Sequence, residues 1–198
     1  MPRTSKAPEE RHRELVDCAV RLFTEKGYGA TAVSDIVREV GVAQGTFYYH
    51  FKSKEAVLEA VVDRTTSGVA EKVQAAVERQ DSSPAARLDK VLSLLLAAML
   101  DNRGLIDILH HPGNEVLHEQ MRAKLVGGIQ PSIEKLVVIG VEAGDFDVPH
   151  AQEAAELLLS TVAHLTRLGI AGRGRRRLAR LKATVKLAAR RMLAAKDR

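Results

Sequence analysis

Residues 33–51 read VSDIVREVGVAQGTFYYHF. Two short runs with helical apolar spacing flank Gly41, the pattern of two helices joined by a tight turn, a helix-turn-helix. Ile36, Val40, Val42, Phe47 and Phe51 suit an inward face that fixes the angle between the two helices. Phe47 and Phe51, four residues apart, share one side of the second helix. Gln44 and Tyr48 share another side, and Thr46 and His50 a third, with Tyr49 beside them. No helix can bury the consecutive Tyr48, Tyr49 and His50 together. The exposed cluster is either the decorated surface of a small helical subdomain or a recognition surface.

The residue types favour recognition of DNA. The amide of Gln44 can pair bidentately with adenine, Thr46 and Tyr48 offer hydroxyls with a methyl or ring edge, and Gly45 lets the helix start approach the bases. Tyr49, His50 and Lys54 suit phosphate oxygens. Thr31 does too, at the start of the preceding helix, where backbone N–H groups favour an anion. Arg3 and Lys6 form a small basic arm that can reach the duplex backbone.

Outward from this stretch nearly every segment reads as helix. Leu15, Ala19, Leu22 and Lys26 share one face of a helix that Gly27 stops. Thr31 or Ser34 is placed to cap the second helix, and a third runs from about Gln44 to Phe51. Ser53 is placed to cap a long fourth, with Glu55 in its first turn. Gln80-Asp81-Ser82-Ser83-Pro84 breaks the chain and starts an apolar helix through Leu88–Leu100. A short element spans Leu105 to His110. A longer helix runs from about Glu115 to Val141, with a bend expected near Gly127, Gly128 and Pro131. A turn over residues 144–149 leads into a helix through Ser160 and Arg167, and a basic helix from about Arg175 to Leu193 closes the chain. No alternating strand pattern competes, so the expected fold is all-α with about nine helices: a head over residues 1–55 and a helical body over 56–198.

The chain's 198 residues are 45% hydrophobic and 28% charged, enough to bury a core without low-complexity segments. The single cysteine, Cys18, excludes an internal disulfide and favours a reducing, cytoplasmic setting. No apolar run approaches the ~18 residues of a membrane span, and the opening MPRTSKAPEE lacks the apolar stretch of a secretory signal. The formal net charge of +5 is unevenly spread. Residues 167–198 carry 12 Lys/Arg against one Asp, whereas residues 55–166 carry 9 against 17 Asp/Glu. The middle of the chain repels a polyanion and its ends can approach one. All aromatic residues but Phe146 lie in the first 51 positions.

The stretch Gly27 to Leu58, GYGATAVSDIVREVGVAQGTFYYHFKSKEAVL, resembles the N-terminal domain of the tetracycline-repressor (TetR) family. The matching features are Gly27-Tyr28, Thr31, Asp35-Ile36, Gly41-Val42, the run Gly45 to Phe51 and Lys52-Ser53-Lys54-Glu55. The resemblance covers about a quarter of the chain; the rest is like the family only in length and helical character. It implies a homodimer that puts its third helices into the major groove of a palindromic operator. Gln44, Gly45, Thr46 and Tyr48 then face bases, and Thr31, Tyr49, His50 and Lys54 hold phosphates. It also implies that the last two long helices form a four-helix bundle between subunits, and that residues 84–168 surround an effector pocket whose filling releases DNA. Gln44 departs from the small residue common at its position, so no operator sequence carries over. Val37 departs from the usual Ala, which predicts a slightly wider helix crossing.

Other residues have competing readings. His110, His111, His118 and His164, near Glu115 and Glu119, lack any tight metal-ligand spacing, so hydrogen-bonded or exposed histidines are favoured over a metal site. Arg103, His110, His118, Arg122 and His164 are the candidate polar groups of an effector pocket. The apolar residues between Leu88 and Leu168 are nearly all aliphatic, which predicts a lipophilic effector with an alkyl or acyl part or, failing that, simply a core. Cys18 reads as a buried structural thiol, with redox sensing as the alternative. The basic run Arg173 to Arg191 is read, in order, as a solvated face around an apolar stripe of Leu178, Leu181, Val185, Ala188 and Met192, as a partner for the acidic body, or as a second anion site. No nucleophile elbow, Walker loop, dinucleotide fingerprint or placed carboxylate pair marks an enzyme or a cofactor site. The competing class is a DNA-binding protein without an effector, architectural or dependent on a protein partner.

Overall fold

The computed structural model describes residues 7–111, 113–167 and 175–195, with the side chains of 163, 165–167 and 175–178 left aside. Nine α-helices and no strand occur among the described residues. They are α1 (Pro8–Lys26), α2 (Val33–Val40), α3 (Gln44–His50), α4 (Lys54–Glu78), α5 (Pro84–Asp101), α6 (Arg103–Leu109), α7 (Glu115–Glu142), α8 (Ala151–Arg167) and α9 (Arg175–Met192).

The boundaries follow local chemistry. Ser53 Oγ accepts from the Ala56 amide at 3.3 Å, and Ser83 Oγ from Ala86 at 3.2 Å, so both serines cap helices as expected. Gly27 ends α1 at φ +85° and Gly41 ends α2 at φ +73°, conformations that glycine adopts without a Cβ penalty. The cap of α2 differs from the expectation. Ala32 holds the cap position, and the Asp35 carboxylate reaches back to accept its amide at 3.0 Å. Thr31 is already committed to the preceding turn, as described below. Across Gly127, Gly128 and Pro131, α7 stays one assigned helix. Gly128 lets it approach α4: a Cβ there would lie 3.3 Å from that of Ala70.

Two apolar clusters are strung along α4. Its first turns, with Val57, Leu58, Val61 and Val62, join Leu15, Leu22, Ile36 and Phe47 of α1–α3 and Leu105 and Leu109 of α6. Its last turns, with Val73, Ala76 and Val77, join α5, α7, α8 and α9 around Leu88, Leu96, Leu136 and Ala155. The head core therefore draws on residues beyond 55. On α9 the inward stripe is Val185, Ala189 and Leu193, while Ala188 and Met192 face out. That stripe is offset from the predicted one, because α9 packs against α5 and the 144–148 turn. Arg190 grips Asp89 of α5 with two bonds at 2.9 and 3.3 Å, and the Asp147 amide donates to the Leu193 carbonyl at 2.9 Å. One contact of the basic run with the acidic body is thus made within the subunit. The side chains of residues 173 and 175–177 lie outside the described residues.

Candidate nucleic-acid interface

The turn between α2 and α3 is set by Gly41 and by the Val42 amide, which donates to the Val37 carbonyl at 3.0 Å. Ile36 and Phe47 are fully buried and Phe51 is 5% exposed, so the inner sides of both helices are consumed by the core. The opposite side of α3 is turned out. Gln44 and Gly45 are exposed, Thr46 and His50 are half-buried, and Tyr48 and Tyr49 are 52% and 77% exposed. Among the described residues, no hydrogen bond within the chain engages the side-chain polar atoms of Gln44, Thr46, Tyr48 or Tyr49. A row of unbonded amide and hydroxyl groups on a helix held rigidly from behind can exchange water for base edges and phosphates without first breaking protein bonds.

Thr31 and Lys54 sit behind this face rather than on it. Thr31 is 1% exposed, and its hydroxyl donates to the Gly27 carbonyl at 2.8 Å. Lys54 Nζ donates to the carbonyls of Tyr28 and Thr31 at 2.9 and 3.0 Å and lies 4.1 Å from the Tyr28 ring centroid. One ammonium N–H is left for an outside acceptor. The Tyr28 hydroxyl donates to Glu55 at 3.0 Å; burial and this carboxylate push the phenol well above its ordinary range. Glu55 is lowered by its own amide, the Ser53 hydroxyl and Tyr28. Together these bonds bolt the α1–α2 turn to the start of α4, which presents the reading head. Residue types alone do not mark the Lys54 bonds, because their acceptors are backbone carbonyls.

The predicted effector residues are placed otherwise. A cavity of about 80 Å³ lies between the two apolar clusters, bounded by Thr66 and Val69 of α4, Leu95 and Met99 of α5, Ile129 of α7 and Leu159 of α8. None of Arg103, His110, His118, Arg122 or His164 lines it. Arg103 faces Asp107 at 3.9 Å, and Arg122 Nε donates to Glu119 at 2.8 Å, both at the surface. The His110 ring nitrogen meets the Ile106 carbonyl at 2.8 Å, and its ring lies 4.5 Å from that of His118. His164 is exposed on α8. Arg103, His110, Arg122 and His164 are exposed, where charge stays hydrated, and His118 is half-buried, whereas the cavity faces the core. Two of its three polar members have donors committed to backbone: Thr66 donates to the Val62 carbonyl at 3.0 Å and Asn102 to Ala98 at 2.8 Å. No aromatic side chain lines it. Cys18 is buried, with its thiol pushed up chiefly by burial and its Sγ 3.8 Å from the Ile36 carbonyl.

A helix-turn-helix head with an open outward face, carried on an all-helical body, is the architecture of helix-turn-helix regulators. Residues 15–61 match the family model described as bacterial regulatory proteins, tetR family. The A-factor receptor protein of Streptomyces griseus is 44% identical over 57 residues, 29% of this chain and 21% of that protein. The repressor DhaR of Mycobacterium sp. (strain GP1) is 26% identical over 144 residues, 71% of each chain. A solved TetR/AcrR-family regulator from Thermobifida fusca superposes with a TM-score of 0.74 at 25% identity, covering 96% of this chain and all of that one. Residues 15–61 carry the DNA-binding domain of the tetR family, and the chain as a whole is similar to TetR-type regulators. The chain spans only a minor part of other curated relatives, 21% of the A-factor receptor protein and 17% of the Bacillus subtilis regulator YerO. No helix among the described residues is long and apolar enough to cross a membrane.

Proposed function

We propose that the chain represses transcription as a cytoplasmic homodimer that reads a palindromic operator with residues 1–55 and binds its effector and its partner through residues 56–198. The observation that carries the reading is the unbonded outward row on α3. In it Gln44, Gly45, Thr46 and Tyr48 address base edges, Tyr49 and His50 hold phosphates, and the last N–H of Lys54 reaches a neighbouring phosphate. Thr31 contributes by fixing the turn. Repression is supported by the likeness to DhaR, a repressor matched over most of its length. Dimerisation is supported by Leu157 on α8 and Leu187 on α9, which are 57% and 50% exposed on the two helices the family resemblance assigns to the subunit interface. Release by a small lipophilic ligand is supported by the aliphatic cavity at the junction of the two clusters, where an occupant touches α4, the helix that carries the head. The role is binding rather than turnover.

Selection from randomised duplex DNA at near-physiological salt, followed by sequencing, tests the reading. A recovered consensus with two-fold symmetry establishes a sequence-reading dimer and supplies the probe for an effector screen. Recovery without a consensus, abolished by modest salt, refutes it in favour of an architectural DNA-binding protein.

A further inference from the structure

The head carries a group of rings and cations that the α3 face does not account for. His12, on α1, lies over the Phe51 ring at 4.6 Å between centroids and edge-on to His50 at 6.0 Å. His50 ends α3, and Tyr49 packs edge-on against it at 5.0 Å. Arg11 stands next in sequence to His12, with one guanidinium nitrogen 2.6 Å from Glu14. Two imidazoles from different helices thus meet at the end of the recognition helix, within reach of an arginine, on the side of the head that α1 and α3 share.

We propose that Arg11, His12 and His50 form a phosphodiester-binding site, and that operator binding takes up a proton at His50. The proposal rests on the DNA-binding reading above. In the free chain His50 resists charging: partial burial, then the nearby His12 and Arg11, hold it below the ordinary histidine range. Glu14 pairs with Arg11 at 2.6 Å, yet Arg11 still acts on His50. Both charged groups that act on His50, His12 and Arg11, come from α1, the helix packed beside it. A phosphate set against the rings reverses the balance, because an adjacent anion favours the imidazolium and neutralises the repulsion between the two rings. The proton then comes from solvent, and affinity rises as pH falls through the range between the free and bound titrations. The stack of His12 on Phe51 makes His12 a positioning residue as well. Phe51 is a core residue of the head, so the ring is held in place before DNA arrives.

The test uses the full chain and the duplex recovered by selection, at constant ionic strength. Calorimetry in two buffers of different ionisation enthalpy, at pH 6.5, is expected to show uptake of about half to one proton per subunit. Anisotropy titrations from pH 7.5 to 5.5 are expected to show affinity rising by at most about ten-fold per pH unit. His50→Asn removes the rise. His12→Phe keeps the stack on Phe51 but removes the second imidazole, and moves the rise to higher pH. A merely structural role for His12 lowers affinity equally at every pH and overturns the proposal. Zero proton uptake, or a wild-type profile shared by both variants, also overturns it. A chain that recovers no duplex refutes the DNA-binding reading itself, whereas a flat pH profile on a recovered duplex refutes only this proposal.

Discussion

Substituting Lys54 by Met separates the two roles this residue combines. Methionine keeps most of the stem against Tyr28 and removes the ammonium. Two donated bonds go with it, at 2.9 and 3.0 Å to the carbonyls of Tyr28 and Thr31. The Tyr28 carbonyl retains the Thr31 amide as a donor at 3.2 Å. Among the described residues the Thr31 carbonyl then has no other donor, in a residue 1% exposed. Leaving a buried acceptor unsatisfied costs about 1–3 kcal/mol, and the lost cation–π contact adds about 0.5–1 at a half-exposed site. Since Lys54 is itself half-buried, water repays part of this, and ~2 kcal/mol is the expected loss. In a chain of this length that lowers the melting temperature by roughly 4–8 °C. Thermal and urea unfolding, read alongside salt-dependent anisotropy on operator DNA, check both roles. If the remaining N–H grips a phosphate, the slope of log affinity on log salt also falls by about 0.9. A Lys54→Met protein as stable as the parent would refute the reasoning, because the backbone bonds would then contribute nothing.

Other substitutions test other links. Gly140→Ala must displace the Phe146 ring, since an added Cβ would lie 2.8 Å from its Cγ and nearer still to two other ring atoms. Displacing a buried phenylalanine costs up to ~3–5 kcal/mol and the helix-propensity gain returns ~1, so a loss of about 2–4 kcal/mol in urea unfolding is expected. In a Phe146→Ala background the same change should become stabilising, and a cycle without that change of sign would contradict the packing. Gln44→Ala should cost roughly 1–3 kcal/mol on the selected operator and little on random DNA; equal losses on both would remove Gln44 from the base readers. Cys18 should resist alkylation at pH 8 in the native chain and react at the rate of unfolding, because burial both covers the thiol and disfavours the thiolate. Rapid labelling of folded protein would place it at the surface.

The residues that specify the head announce themselves in order along the chain. Phe47 and Phe51 at helical spacing, Gly41 at the required left-handed turn, and three consecutive residues that no helix can bury give two helices, a turn and an outward face. Ser53 and Ser83 mark helix starts for the same reason: capping is local, so sequence neighbours determine it. The cap of α2 shows where that stops. Thr31 has the right chemistry to cap, but its hydroxyl was claimed by the Gly27 carbonyl, and Asp35 took the role. Lys54 looks like a free cation until the fold brings the Tyr28 and Thr31 carbonyls, more than 20 residues away in sequence, to its ammonium. Polarity singles out the effector candidates, yet the cavity is lined by Val69, Leu95, Ile129 and Leu159, side chains whose spacing reads equally well as plain core. Periodicity and caps depend on neighbours within one or two turns, and those the sequence carries outright. Which carbonyl meets which ammonium, and where a core leaves a hole, depends on how helices from distant parts of the chain pack against one another.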